Sequence, residues 1–237
     1  MVGRCFSYKK FNVIILAAGA GSRMGDASAF IPKALSPLGD QRAIDWIIYR
    51  YRDVALKFII GVHTHADLLI NYLKGRYPSL DIEFAIEYSL ENNAKSTTIC
   101  LDHADSRYPT LIHFCDLLML DNFNLGIDQF FLVSKETEGV TGTFRHTITG
   151  HHLEKHVHPI SIKESDSKGV LGVFSIGNTP FFKGILYDTW GTAQDLTDDG
   201  IAPYFSWVKM EETHCKKIIE FGDEATLQKA RGLWEKI

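Results

Sequence analysis

The chain has 237 residues, a formal net charge of −4 and 45% apolar residues. That is enough to bury the core of one large domain or two small ones, and it argues against nucleic acid as the main partner, because phosphate-backbone binding needs a basic surface. The four cysteines, Cys5, Cys100, Cys115 and Cys215, are scattered without a CxxC pair, so neither a disulfide framework nor a cysteine zinc site is expected. Residues 1–10 lack the apolar core of a signal peptide, and no apolar run reaches the roughly 20 residues of a membrane span. The expectation is a cytoplasmic protein with no membrane partner.

Residues 11–17 (FNVIILA) form a β-branched apolar run ahead of glycines and read as a buried strand. Residues 41–54 carry Ile44, Ile47, Ile48 and Tyr51 at helical spacing. A second buried strand is expected at 57–61 (KFIIG), a helix at 66–73 and a third strand at 81–86. A helix follows at 95–103, with Asn92 or Asn93 near its N-cap. Residues 110–115 (TLIHFC) read as another strand, directly followed by Asp116. The second half is less regular. Strands are expected at 130–133, 160–163 and 170–176, and helices at 179–188 and 224–236. The polar stretch 137–154, with Gly139, Gly142 and Gly150, reads as a hairpin or mobile loop. Strand–helix alternation predicts an α/β fold, Rossmann-like, with three α/β/α layers around a mixed, mostly parallel central sheet. One domain over 1–237 is the simplest organisation, with about 122–210 as an elaboration. In such a sheet ligands bind at the carboxyl edge of the strands, where the glycine-rich loop and Asp116 both fall.

That loop reads LAAGAGSRMGDASAFIPKAL. It is not a P-loop, because no GK[ST] follows the glycines. It is a poor dinucleotide fingerprint: Met24 occupies the third glycine position, and KFIIG is followed by Val62 and His63 rather than by an acidic residue. Taken whole, the stretch resembles the signature of the sugar-nucleotidyltransferase superfamily, L-A-A-G-x-G-x-R, a spacer, then P-K. Leu16, Ala17, Ala18, Gly19, Gly21, Arg23, Pro32 and Lys33 carry the match. The resemblance implies transfer of a nucleoside monophosphate from a nucleoside triphosphate to a phosphorylated acceptor, with pyrophosphate released. The chemistry of the residues agrees. Small residues, with Ser22 among them, let backbone N–H groups approach a base and phosphates. Arg23 suits forked contacts to a polyphosphate, and Lys33 is a compact charge for the reacting phosphate.

A triphosphate brings a need for Mg2+, which takes one or two carboxylates plus phosphate oxygens. Asp116 is the first candidate ligand, and the resemblance points to the same residue. Many members of the superfamily end in a segment like W-x-D-I-G-T-P-E-D-L. Aligning its glycine with the one in KIIEFGDEATLQKA places Glu220 at the second metal position, with Asp223 as the alternative. The stretch 87–98 (EYSLENNAKSTT) is expected beside the nucleobase, with Asn93 and Ser96 hydrogen-bonding it. Its NN-x-x-S form resembles the phosphocholine cytidylyltransferase-type branch, which favours CTP and a small phosphorylated acceptor. For the acceptor phosphate the resemblance suggests Lys163, with Lys168 as the alternative. Synthesis of bacterial surface-glycan precursors is the role the resemblance implies.

The histidines His146, His151, His152, His156 and His158 lack any HExxH spacing and read as part of a polar surface loop. His63 and His65 sit at a strand end with no required role. The competing functions are a sugar-1-phosphate uridylyl-, thymidylyl- or guanylyltransferase, a non-catalytic nucleotide-binding domain of the same fold, and a nicotinamide-dependent oxidoreductase.

Overall fold

The computed structural model describes residues 5–6, 9–19, 31–87, 92–140, 143–149, 152–162 and 167–234. The first half alternates strand and helix: β1 (Phe11–Leu16), α1 (Ala43–Tyr51), β2 (Ala55–Val62), α2 (Ala66–Arg76), β3 (Ile82–Ile86), α3 (Asn93–Leu101) and β4 (Thr110–Phe114). The second half comprises β5 (Leu117–Met119), β6 (Gln129–Val133), β7 (Thr143–Thr149), β8 (His152–Ser161), β9 (Lys168–Ile176) and α4 (Thr179–Asp188). A π-helical turn, Thr197–Ile201, then runs into α5 (Ala202–Trp207), and β10 (Glu211–His214), β11 (Ile218–Glu220) and α6 (Glu224–Trp234) complete the chain.

The main sheet runs β8-β7-β9-β4-β1-β2-β3, with β6 joining β9 and β10. The four strands β4-β1-β2-β3 are parallel, whereas β9 pairs with β4 antiparallel, so one mixed sheet spans both halves. Alternation along β1 divides the core between the two faces. Val13 and Ile15 pack with Ile44, Ile47 and Ile48 of α1, Leu69 and Leu73 of α2, and Leu227 of α6. Ile14 faces the other way, with Ile59, Ile112, Cys100 of α3, Phe182 of α4 and Tyr204 of α5. Helices therefore cover both faces, which is the expected three-layer α/β/α arrangement. Cys100, Cys115 and Cys215 are buried and unpaired.

Helix ends follow local chemistry. Asp45 reaches back from the first turn of α1 to accept from the Arg42 amide at 2.9 Å, one half of a capping arrangement. Asn92 caps α3, its Oδ1 accepting from the Lys95 amide at 3.0 Å, and Asn178 caps α4 in the same way through Phe181. The stretch 137–154 contains β7, which pairs with β8 in an antiparallel hairpin; of the strand expected at 160–163, residues 160 and 161 are the end of β8, and residue 163 lies outside the described residues. No helix among the described residues is long and apolar enough to cross a membrane.

Candidate active site

The central parallel strands bring several candidate residues to one edge of the sheet. The Ala17 amide donates to Gly61 O at 3.1 Å and the Cys115 amide to Leu16 O at 3.2 Å, so the chain leaving β1 stays between β2 and β4 as the glycine loop begins. Leu16, Ala17, Ala18 and Gly19 stand there, and a β-carbon on Gly19 would meet nothing within 4 Å. Gly21, Ser22 and Arg23 lie outside the described residues.

Lys33 opens a short 3-10 turn, Lys33–Leu35, behind an extended Pro32. Its Nζ donates to Gly222 O at 3.0 Å and lies 3.5 Å from Asp116 Oδ2. The contact to Gly222 is possible because β11 lies antiparallel to β5, with Glu220 opposite Leu117, and the Phe221 amide donates to Asp116 O at 2.9 Å. A β-carbon on Gly222 would sit 3.8 Å from Asp116 Oδ2 and 3.9 Å from Lys33 Nζ, so the missing side chain leaves a hollow between them. Ile218, Ile219 and Phe221 are buried while Glu220 is half-buried. Asp116 and Glu220 present only oxygen donors, a set that fits a hard divalent cation. Asp223, the alternative ligand, accepts from the Thr226 amide at 2.8 Å, and its own amide donates to Thr226 Oγ1 at 3.0 Å. It is engaged as a helix cap.

At the stretch expected beside the base the hydrogen bonds run inward. Asn93 Oδ1 accepts from the Leu196 amide at 2.7 Å, and its Nδ2 donates to Asp195 Oδ2 at 3.2 Å. Ser96 Oγ lies 2.7 Å from Glu87 Oε2 and 3.0 Å from Asn92 O. Both residues expected at the base thus hold α3 to its neighbours. Glu87 opens the stretch 87–98 and has no separate role in the sequence reading; its amide continues the β2–β3 ladder by donating to Val62 O at 2.9 Å. It is 4% exposed, and its Oε1 has no hydrogen-bond partner among the described residues. Burial raises the carboxyl above its ordinary range, against a smaller lowering by Ser96. Gly61 leaves room for it, since a β-carbon there would meet Cys100 Sγ at 3.1 Å and Glu87 Oε1 at 3.3 Å. A usable signal existed: an acidic residue just past an apolar parallel strand, like Asp116.

Lys163 lies outside the described residues. Lys168 Nζ stands 3.5 Å from Glu212 Oε2 and 3.4 Å from His214 Nε2, so it is engaged with β10. His63 Nδ1 contacts Thr64 Oγ1 at 3.0 Å, and His65 takes a left-handed conformation before α2. The expected histidine loop needs correction. His151 is outside the described residues, but His146 is on β7, where its Nε2 meets Asp198 Oδ1 at 3.0 Å and Asp195 Oδ1 at 3.8 Å. His156 Nε2 contacts Thr147 Oγ1 at 2.7 Å on the same hairpin.

Residues 13–122 match the family model described as the MobA-like NTP transferase domain. The matched stretch contains the glycine loop, Lys33, Glu87, α3 and Asp116, and it ends near the start of the chain's irregular half. No curated protein matches the sequence. Solved structures resemble the whole chain in fold. The CTP:phosphocholine cytidylyltransferase of Streptococcus pneumoniae aligns with a TM-score of 0.74 and 18% identity, covering 94% of this chain and 99% of that one. A putative glucose-1-phosphate thymidylyltransferase from Bacillus anthracis gives 0.72 and 17%, covering 96% of each. A UDP-glucose pyrophosphorylase complexed with UDP-glucose gives 0.71 and 14%, covering 100% of this chain and 99% of that one. Residues beyond the matched stretch therefore share the overall fold of these structures.

Proposed function

We propose that the chain is a single-domain nucleotidyltransferase that moves a nucleoside monophosphate, CMP by preference, from its triphosphate to a small phosphorylated acceptor. The reading rests above all on Lys33 Nζ and Asp116 Oδ2 standing 3.5 Å apart at the carboxyl edge of a parallel sheet, with the Gly222 hollow beside them. The MobA-like match over residues 13–122 and the likeness to nucleotidyltransferase structures support it. A phosphate oxygen of the acceptor attacks the α-phosphorus in line, and the bond to the leaving pyrophosphate breaks. Lys33 stabilises charge on the phosphates as it shifts, and Arg23 is assigned the polyphosphate from sequence alone. No general base is required, because a phosphate monoester with a second pKa of about 6 is largely dianionic at neutral pH. Mg2+, when bound by Asp116 and Glu220, supplies Lewis-acid neutralisation of phosphate charge. Positioning by this frame supplies most of the rate.

The preference for CTP, the small acceptor and a cytoplasmic role in surface-glycan precursor synthesis rest on the NN-x-x-S resemblance. One feature favours a second reading, a nucleotide-binding domain without turnover: glutamate rather than aspartate at Glu220. Pyrophosphate release, measured with Mg2+, each of four triphosphates and a panel of phosphorylated acceptors, tests both. Release with CTP and phosphocholine-like acceptors is expected. Binding of triphosphate without release under every combination would leave the second reading standing and remove the first.

A further inference from the structure

The hairpin histidine that the sequence reads as surface decoration sits in a mixed donor set. His146 on β7 meets Asp195, just ahead of the π-helical turn, and Asp198 within it. The ligating atoms of the three residues all lie within 4.8 Å of one another. From His146 Nε2 the carboxylate oxygens are 3.0 and 3.8 Å away. Bonds of 2.0–2.2 Å in a tetrahedron separate the ligands by about 3.4 Å, and the two observed distances bracket that edge. The imidazole is 12% exposed.

Groups outside the three ligands hold the carboxylates in this attitude. Asp195 Oδ2 accepts from Asn93 Nδ2 at 3.2 Å and its Oδ1 from the Thr197 amide at 2.8 Å. Lys155, directly across the hairpin from His146 in register, pairs with Asp198 Oδ2, while Asp198 Oδ1 faces the imidazole. Asp199 Oδ2 accepts from the Gln194 and Asp195 amides at 2.6 and 2.9 Å and fixes the start of the turn. The outer oxygens are thus engaged and the inner ones converge with a ring nitrogen, which is the way outer-shell partners orient metal ligands. One imidazole and two carboxylates suit a borderline cation better than Mg2+, which takes oxygen ligands.

The geometry points to a second cation site, distinct from Asp116 and Glu220: a Zn2+-type ion held by His146 Nε2, Asp195 Oδ1 and Asp198 Oδ1, with a fourth position open to water. Such an ion clamps the β7–β8 hairpin to the π-helical turn and, through Asn93, to the first turn of α3. It does not depend on the proposed transferase activity.

The test uses the full chain stripped with EDTA and then dialysed against Zn2+ in a large excess of Mg2+. Stoichiometry is read by elemental analysis, and coordination by the visible spectrum of a Co2+-loaded sample. One Zn2+ per chain is expected, with intense Co2+ bands typical of four-coordination. His146→Gln and Asp198→Asn should each weaken Zn2+ at least about a hundredfold, and Asn93→Ala about tenfold. Asp116→Ala should leave Zn2+ binding unchanged. Circular dichroism on each variant guards against unfolding. No Zn2+ retained by the wild type, or Zn2+ retained equally by folded His146→Gln and Asp198→Asn, overturns the site.

Discussion

Asp116 follows β4 and Glu87 follows β3, so both carboxylates stand at the same edge of one parallel sheet, yet their surroundings differ. The Asp116 side chain is 34% exposed and lies beside the Lys33 ammonium and the Gly222 hollow. Glu87 is shut in by α3, contacts Ser96, and has its carboxyl raised by burial. A partly hydrated carboxylate beside a cation is open to an incoming metal ion. A carboxyl enclosed by protein favours the neutral acid, because desolvation penalises the charged form. Place in the fold supplies the candidates; hydration and partners divide the work among them.

The sharpest way to break this contrast is to remove the charge at Asp116. Asp116→Ala and Lys33→Ala are expected to remain folded, since neither side chain is fully buried, and each to lower turnover by about a thousandfold, as loss of a preorganised electrostatic group does. Initial rates of pyrophosphate release, alongside melting curves, check this. Near-normal turnover in purified Asp116→Ala would remove that residue from the mechanism. Gly222→Ala is a finer probe. Its methyl group would fill the hollow at ordinary contact distances from Asp116 and Lys33. The expected result is an unchanged melting temperature with kcat/KM lower by about tenfold, the cost of displacing a bound group by a small distance.

The contrast also marks what can be read in a sequence. The central strands are legible because burial on both faces writes them as continuous apolar runs, and Asp116 is legible because it punctuates one. Lys33 stands out through the Pro-Lys pair. The ribbon that joins them to the C-terminal segment is not legible. Leu117–Met119 and Ile218–Glu220 are three residues each, and pairing between such distant short segments leaves no local trace. The same holds for Asn93, whose carboxylate partner is 102 residues away. The helical stretch after residue 196 was missed because Gly200 and Pro203 interrupt it. The π-helical turn takes in the first, and the second falls in the opening turn of α5, where proline is tolerated.

Glu87 sharpens the comparison through pH. Its folded-state pKa is raised above the unfolded value, so the folded chain holds the proton more tightly. The stabilisation from this group is fully present below the unfolded pKa and is lost as pH rises through the raised folded value. Glu87→Gln removes the titration. Urea denaturation at pH 5 and pH 8 should show the wild type losing more stability between the two than the variant does. Equal pH dependence in both proteins would mean that Glu87 is ionised throughout and that burial does not govern it.

The smallest effect expected is at Asp223, and it separates capping from chemistry at the C-terminal segment. Asp223 and Thr226 exchange hydrogen bonds at the start of α6, while Glu220, on β11, lies in register with Leu117 next to Asp116. Asp223→Ala should therefore cost about 1 kcal/mol of stability, as loss of an N-cap does, and leave the Mg2+ dependence of pyrophosphate release unaltered. Glu220→Gln should do the reverse, with little change in melting and a higher Mg2+ concentration for half-maximal rate. If Asp223→Ala shifts that midpoint and Glu220→Gln does not, the metal role moves to Asp223, and the cap must give up its carboxylate during turnover.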